Sequence, residues 1–291
     1  MYQFSDEIDW EGFFPFDKKW IEDMNLACIP DASKSVLPVI LSFSNESGVS
    51  FPSHETIAAL TGMTTRTVQE AVKGLDGFPG LEISKYQTKR GRIATKYKMT
   101  RFPPRDETGR AFFFHKSLIQ GGNWRLLEKM VSPGLYLVMR YFGYFDAELY
   151  RLDECEKDDS DALLDMEIPE LYKIRKYDLC EATISVMARH AGISRPSVYE
   201  GLQDLKARHL VEGPWMDEDG IQRWKVYIRP AQYFKRDFLN DEIGKAHRRE
   251  RERLDGKCKK ASGMCKKASG RRVKNLPGSV KKTVLKQGGQ C

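Results

Sequence analysis

Apolar residues recur with a helical period in two segments of the chain that share one pattern. Residues 52–75 read PSHETIAALTGMTTRTVQEAVKGL, and residues 184–205 read ISVMARHAGISRPSVYEGLQDL. When the segments are aligned on Gly62 and Gly192, alanine, valine and leucine recur at the same places. The second helix of the first segment has its apolar residues at i, i+3, i+4 and i+7, which predicts one buried stripe: Val68, Ala71, Val72 and Leu75.

The residues at the turns are those that a tight connection between two helices requires. Gly62 and Gly192 permit the turn, because glycine adopts positive φ without a steric cost. Thr64 and Ser194 each offer a side-chain oxygen to the free amides of the helix that follows. The segments therefore predict two helix-turn-helix units, and two such units indicate double-stranded DNA as the partner. For either copy alone, a helical hairpin buried in a core is the alternative.

Each unit is followed by a segment in which apolar and polar residues alternate. After the first unit, residues 81–84 alternate, a polar turn QTKRGR spans 87–92, and residues 97–99 alternate again. After the second unit, a turn DEDG at 217–220 leads to alternation over 224–228. Alternation on both sides of a polar turn predicts a β-hairpin. A helix-turn-helix followed by a hairpin is a winged helix, so the sequence predicts two of them.

The repetition extends upstream of both units. FPFDKKWI at 14–21 is similar to FFFHKSLI at 112–119, and each precedes an apolar helical stripe. Pro38 lies inside the first stripe, and because proline removes an amide and clashes with the preceding turn, we expect that helix to start at Pro38 or to be kinked there. The stripes are Val36, Val39, Ile40 and Phe43 in the first copy, and Leu135, Val138, Met139 and Phe142 in the second.

Repetition on this scale predicts whole duplicated domains. The expected fold class is α+β and predominantly helical, with two winged helix-turn-helix domains in tandem and a disordered basic C-terminal tail. We place the N-terminal domain at 1–104, the C-terminal domain at 105–240 and the tail at 241–291. At 291 residues and 41% hydrophobic, the chain is long enough for two domains with their own cores.

The chain resembles the replication-initiator proteins of plasmids and phages that are built from two winged-helix domains. The segment at 52–75 is similar to the winged helix common in such proteins, and the resemblance covers about residues 12–235. It implies a bacterial, cytoplasmic protein whose two domains bind repeated origin sites as double-stranded DNA. It also implies a switch between dimers that repress and monomers that initiate, with host replication proteins as further partners. A transcriptional regulator at an operator, or a primosome or partition scaffold that mainly binds protein, remains open.

The candidate DNA-contacting residues lie on the exposed face of each second helix and on the wings, where they can meet phosphates and base edges. In the first half they are Thr64, Thr65, Arg66, Thr67, Gln69, Lys73, Lys85, Lys89, Arg90, Arg92 and Lys96. In the second half they are Ser194, Arg195, Ser197, Tyr199, Gln203, Lys206, Arg223 and Lys225. The tip of the second wing carries Asp217, Glu218 and Asp219, so we expect phosphate to repel it. The first domain is then the stronger DNA binder.

Charge divides the chain further. Residues 245–291 hold 16 Lys or Arg against 3 Asp or Glu, which leaves the rest of the chain with a net charge of about −6. This tail is expected to be a nonspecific DNA tether or merely a solubilising end. Residues 146–170 hold 11 Asp or Glu, which predicts an acidic insertion at about 146–177 in the second domain. The insertion is expected to be solvated, or to bind a basic partner, to compete with DNA for a basic surface or to hold the tail.

The sequence has no feature of an enzyme, a metalloprotein or a membrane protein. It contains no phosphate-binding glycine loop, no HExxH and no GxSxG, and its five histidines never form a close pair. Its six cysteines are scattered, so neither a disulfide framework nor a zinc site is expected. No apolar run approaches the roughly 20 residues that a membrane helix needs. We therefore expect a soluble, non-enzymatic protein without cofactors or metals.

Overall fold

The computed structural model describes residues 12–88, 91, 93–100, 111–148, 150–151, 176–217 and 219–228. Helices and strands are mixed, as the α+β class predicts. In the first half of the chain the elements follow in the order β1 (Phe13–Asp17), α1 (Lys19–Glu22), α2 (Asn25–Cys28), α3 (Asp31–Ser42), β2 (Val49–Ser50), α4 (His54–Thr61), α5 (Thr65–Lys73), β3 (Leu81–Gln87) and β4 (Ile93–Met99).

The second half repeats this order. Its elements are β5 (Ala111–His115), α6 (Lys116–Gln120), a 3-10 helix (Trp124–Leu126), α7 (Ser132–Tyr141), β6 (Gly143–Tyr144), β7 (Tyr177–Cys180), α8 (Ile184–Ala191), α9 (Arg195–Ala207), β8 (Val211–Met216) and β9 (Gln222–Tyr227). The first half has an antiparallel sheet in the order β2-β4-β3, and the second has one in the order β6-β7-β9-β8. Strand β6 is the addition in the second half.

Both predicted hairpins are confirmed. In β3–β4, Leu81 lies opposite Met99 and Ile83 lies opposite Tyr97, so the apolar residues of the two strands share one face. In β8–β9, Val211 lies opposite Val226, and both are buried. The alternation was sufficient to predict these strands because one face of each hairpin packs on the helices.

The first long helix differs from its prediction. Helix α3 begins at Asp31 and continues through Pro38 to Ser42, so the expected start at Pro38 is wrong. A proline inside a helix costs about 3 kcal/mol. The helix tolerates this cost because every residue from Ser33 to Ser42 is buried. Packing on all sides therefore outweighs the missing backbone hydrogen bond.

The two upstream repeats pair with each other. Strand β1 is antiparallel to β5, with Phe14 opposite Phe114 and Phe16 opposite Phe112. In the alignment of the two repeats, Phe14 corresponds to Phe112 and Phe16 corresponds to Phe114, so these two cross-strand pairs are equivalent. Pro15 corresponds to Phe113, and these two residues lie opposite each other at the centre of the ladder. The two halves are thus joined by a ladder with local two-fold symmetry.

One hydrophobic core runs through both halves. It includes Phe16 and Ile40 from the first half together with Phe114 and Val138 from the second. The rings of Phe16 and Phe114 lie 5.8 Å apart and edge to face, and α3 contacts α7 directly. Edge-to-face pairs stabilise a core beyond the burial of their area. The two halves therefore share one packed interior.

Each helical turn of one half docks against the other half. Gly62, at the end of α4, faces the 3-10 helix, and the Arg125 guanidinium donates to the carbonyl of Ala59 at 3.4 Å. Gly192, at the end of α8, faces the backbone of Ala27 in α2 so closely that a Cβ there would lie 2.8 Å from the carbonyl carbon of Ala27. The helical turn of each half therefore packs against the other half.

Lys34 stabilises the contact between the end of α8 and the first half. This residue of α3 is only 2% exposed, and its Nζ lies 2.7 Å from Asp31 Oδ1. The same Nζ donates to the carbonyl of Ala191 at 2.6 Å. A buried ammonium is stable only when it is paired and hydrogen-bonded, and a cation at the C-terminus of a helix also interacts favourably with the helix dipole. Lys34 therefore binds the end of α8 to the first half.

Helix α9 is fastened to α7 by a buried carboxylate. Asp204 Oδ2 accepts a hydrogen bond from Ser132 Oγ at 2.6 Å and another from the amide of Lys129 at 3.0 Å. Its Oδ1 accepts from the amide of Glu128 at 3.2 Å. Removing the carboxylate would leave these donors without their acceptor, which is costly in a buried site. The orientation of α9 is thus set by packing against α7.

Several predicted features lie outside the described residues. They are most of the acidic insertion (152–175), the tail at 241–291, Lys89, Arg90 and Arg92 of the first hairpin, and Glu218 of the second hairpin. The division into domains at 1–104, 105–240 and 241–291 stays a prediction. Within the ranges that the structure describes, no helix is long and apolar enough to cross a membrane.

Candidate nucleic-acid interface

Local hydrogen bonds build the turn between α4 and α5. Helix α4 begins after Ser53, whose Oγ accepts from the amide of Thr56 at 3.1 Å, and it ends at Gly62, whose φ is 73°. Helix α5 begins after Thr64, whose Oγ1 accepts from the amide of Thr67 at 3.1 Å. The predicted helix cap and the predicted glycine turn are both confirmed. They fix where α5 starts and hence which of its side chains point outward.

The outward face of α5 carries the candidate base-reading residues. Arg66, Gln69 and Lys73 are exposed, and the Arg66 side chain is 88% exposed. Arg66 Nε donates to Glu70 Oε1 at 3.2 Å. An exposed pair with this spacing is worth only about 0.3–0.5 kcal/mol, so it does not prevent Arg66 from contacting a base or a phosphate. Thr65 and Thr67 are half-buried at the start of the helix.

The turn between α8 and α9 has the same construction. Thr183 Oγ1 accepts from the amide of Val186 at 3.3 Å, and Gly192 ends the helix with a φ of 65°. Ser194 Oγ then accepts from the amide of Ser197 at 3.2 Å to begin α9. Caps and glycines therefore occupy equivalent places in the two halves, as the alignment predicted.

The outward face of α9 differs from that of α5 in its chemistry. Arg195, Tyr199 and Gln203 are exposed, and Tyr199 occupies the position of Gln69. Lys206 is half-buried, and its Nζ lies 5.3 Å from the ring centre of Trp224. A cation over an aromatic face gains about 0.5–1 kcal/mol at exposed sites. Lys206 is thus partly engaged within the protein, while the other three face solvent.

The first hairpin presents part of its predicted basic surface. Lys85 on β3 is exposed and Lys96 on β4 is half-buried, while the basic residues between the strands lie outside the described part of the chain. At the start of α4, burial lowers the pKa of His54, and the charge of Lys85 lowers it further. His54 is therefore neutral at pH 7 and adds no charge to this surface.

Arg223 of the second hairpin is held by two carboxylates. Its Nε donates to Glu181 Oε1 at 2.9 Å, and its second amino nitrogen lies 3.0 Å from Asp217 Oδ2. The hydrogen bond to Glu181 raises the pKa of Arg223. Asp217 Oδ1 also accepts from the amide of Ile221 at 2.7 Å, which closes the turn. Asp217 is thus part of the hairpin's own structure.

Lys225, the other predicted cation of this hairpin, lies between two aromatic rings. Its Nζ is 4.9 Å from the ring centre of Tyr177 and 5.7 Å from that of Trp215. The sequence pattern did not reveal these partners, because Tyr177 lies on a strand distant in sequence. Contact of Arg223 and Lys225 with DNA stays a prediction, and it requires that they exchange these internal contacts.

Three exposed apolar residues beside the first hairpin were missed by sequence reasoning. Phe51 and Tyr86 are exposed, with ring centres 5.4 Å apart, and Ile93 is 75% exposed. The sequence contained a signal of exposure for two of these residues. Tyr86 is out of phase with the buried Leu81 of its strand, and Ile93 directly follows the polar turn. Single exposed apolar residues are common, but here three occur beside one hairpin.

The comparison with protein families agrees with this geometry. Residues 28–77 match the family model of a helix-turn-helix domain. The matched segment contains α3, α4 and α5. No curated protein and no solved structure matches the chain. The first half of the chain thus contains a helix-turn-helix domain, the kind of domain that binds double-stranded DNA in a sequence-specific manner.

Proposed function

We propose that this protein binds double-stranded DNA through two winged helices, one in each half, and that it acts as a replication initiator of a plasmid or phage. The single observation that carries the DNA-binding proposal is the duplicated helix-turn-helix geometry. In both copies a capped second helix exposes polar side chains on the face opposite its buried stripe. The hairpins β3–β4 and β8–β9 occupy the place of wings.

The arrangement of the two halves supports a composite DNA site. Because β1 pairs with β5 and each helical turn docks on the opposite half, α5 and α9 have one fixed relative position. A protein with a fixed pair of recognition helices reads two DNA segments at one spacing. We infer that the cognate site contains two sequence elements at a constant separation, and that initiation uses repeats of this site.

The initiator role rests on the sequence resemblance and on this composite site. Footprinting on DNA that flanks the protein's own gene tests it. Several adjacent, repeated footprints in one region support initiation. A single palindromic footprint overlapping a promoter would contradict it, and protection without sequence preference would contradict specific binding altogether.

Changing the spacing between the two protected elements is expected to weaken binding strongly. Insertion of about 5 base pairs, half a turn of the duplex, places one element on the opposite side of the DNA from its recognition helix. Affinity should then fall to that of a single element, measured by fluorescence anisotropy at constant salt. An equal insertion outside the footprint is the control. Unchanged affinity after the internal insertion would show that one half alone binds DNA.

Arg66→Ala is expected to reduce specificity more than general affinity. A bidentate contact between arginine and a base is worth about 1–3 kcal/mol of discrimination. We expect competition assays to show a loss of preference for the cognate site of roughly 5- to 150-fold, with a much smaller loss on random duplex. Glu70→Ala is the matched control, since it removes only the ion pair. Equal losses on both DNAs would assign Arg66 to a phosphate.

A further inference from the structure

The helices α5 and α9 expose different side chains at one corresponding position. When Gly62 is aligned on Gly192, Gln69 of α5 corresponds to Tyr199 of α9. We propose that Tyr199 recognises a thymine in the major groove, through contact of its ring with the C5 methyl group of the base, and that it thereby sets the sequence read by α9. The inference rests on the proposed function and adds the chemical group that the second half recognises.

The two positions are equivalent in the structure as well as in the alignment. Over 66–73 and 196–203, exposed, half-buried and buried residues follow one another in the same order. Val68 and Val198, which directly precede the two residues, are both 0% exposed. Each helix also begins after a hydroxyl side chain that accepts from the amide three residues ahead. Because the buried stripe of a helix determines its opposite face, Gln69 and Tyr199 project from their helices in equivalent directions.

Tyr199 lies at the centre of the outward face of α9 and is 57% exposed. Arg195 and Gln203, four residues before and after it, are exposed as well, and this spacing places the three side chains side by side on one surface of the helix. A tyrosine ring gains free energy when its apolar area is removed from water. The ring thus stands between two side chains that are able to meet phosphates or base edges, with its apolar area open to a ligand.

The chemistry of the two side chains selects different groups on the base pairs. The amide of glutamine both donates and accepts, so Gln69 matches the N6 and N7 atoms of adenine. The side chain of tyrosine has one polar atom, at its tip, and cannot form that pair of hydrogen bonds. The ring of Tyr199 instead matches the apolar group that the major groove offers, which is the C5 methyl of thymine.

The neighbours of Tyr199 favour contact with bases over contact with phosphates. Residues 66–73 include Arg66 and Lys73, whereas residues 196–203 have Pro196 and Gln203 at these places and contain no Lys or Arg. A face with less positive charge gains less from phosphate. Recognition by this part of α9 therefore depends more on apolar contacts and hydrogen bonds to the bases themselves.

Removal of single methyl groups from the DNA tests the inference. Selection from a library of random duplexes with the full, unaltered chain first provides the preferred site. Each thymine of that site is then replaced in turn by deoxyuridine, which pairs in the same way but lacks the methyl group. One of these replacements should weaken binding roughly three- to fivefold, since burial of one methyl group contributes about this much affinity. Fluorescence anisotropy at constant salt measures the change.

Variants of Tyr199 assign the methyl contact to its ring. In Tyr199→Ala the same replacement in the DNA should no longer change the affinity, whereas in Tyr199→Phe, which keeps the ring, the effect of the replacement should remain. Gln69→Ala is the matched control, because it removes the corresponding side chain of α5 and should leave the methyl effect unchanged. Thermal unfolding of each variant shows whether it folds as the unaltered protein does.

Three results would overturn the inference while the proposed function stands. The first is a selected site at which no deoxyuridine replacement weakens binding, and the second is a methyl effect that persists in Tyr199→Ala. The third is an equal weakening of binding to every duplex in Tyr199→Phe, which would assign the hydroxyl to a phosphate. A selection that enriches no sequence would instead contradict specific DNA binding itself, and the inference with it.

Discussion

Replacement of Lys89, Arg90 and Arg92 by Glu is expected to reduce the affinity for cognate duplex by roughly two to three orders of magnitude. The duplex carries one negative charge per about 1.7 Å of its axis, so three lost attractions become three repulsions. The slope of log affinity against log salt should become shallower by about three units, since fewer counterions are released. Anisotropy titrations at several salt concentrations measure both quantities.

Neutralising the second hairpin, the acidic hairpin, provides the comparison. Glu218→Gln with Asp219→Asn removes at most a repulsion, so affinity should stay the same or rise slightly. A large loss from the second hairpin with none from the first would invert the assignment of the first half as the main DNA anchor.

Gly192→Ala is expected to destabilise the protein by about 3 kcal/mol or more. Two penalties combine at this position. The φ of 65° is left-handed, which costs a residue with a Cβ about 1–2 kcal/mol. The new Cβ would also lie 2.8 Å from the carbonyl carbon of Ala27, and the clash is with backbone that cannot rotate away. Chemical denaturation measures the change in the free energy of unfolding.

Two other glycines separate these penalties. Gly77 has a φ of 74°, and no atom lies within 4 Å of the position that a Cβ would take, so Gly77→Ala should show the left-handed cost alone. Gly62, the counterpart of Gly192, would place its Cβ 3.2 Å from the carbonyl oxygen of Arg125, an intermediate case. The expected order of destabilisation is Gly77, Gly62, Gly192. Similar losses in the free energy of unfolding for Gly77→Ala and Gly192→Ala would show that Gly192 does not lie close to Ala27.

Gly192→Ala should also weaken binding to the composite DNA site more than binding to a single element. The substitution separates α8 from α2 and so disturbs the position of α9 relative to α5. Gly77→Ala leaves that relation intact and serves as the control for general loss of stability. Equal effects on both DNAs would show that the two recognition helices do not act as one body.

Local features of this fold were predictable from the sequence. The glycine turns, the caps at Thr64 and Ser194, and the strands of both hairpins all depend on residues within a few positions of one another. The side-chain oxygens of the caps accept hydrogen bonds from amides three residues ahead, and alternation of apolar and polar residues indicates a strand with one buried face. The candidate residues on α5 were likewise predicted, because the buried stripe of a helix determines its opposite face.

Residues distant in sequence carried the features that were missed. Lys34 and Ala191 are 157 positions apart, yet their hydrogen bond fastens the two halves. The continuation of α3 through Pro38 also could not be predicted, since local rules penalise it and only the surrounding core compensates. For Arg223, the pattern showed a basic residue on a strand, and its hydrogen bond to Glu181, 42 positions away, became visible only in the structure.

The duplicated helical turns, the two hairpins and the opposite charge of those hairpins follow from the sequence alone, because spacing and residue type act locally. Three other features emerged only when the whole chain was packed. The aligned repeats pair with each other, the helical turn of each half packs against the other half, and the cations of the acidic hairpin contact carboxylates and aromatic rings. Burial of an apolar residue, or pairing of a charged one, stabilises the fold with any suitable partner. Which partner a residue meets depends on how the entire chain packs.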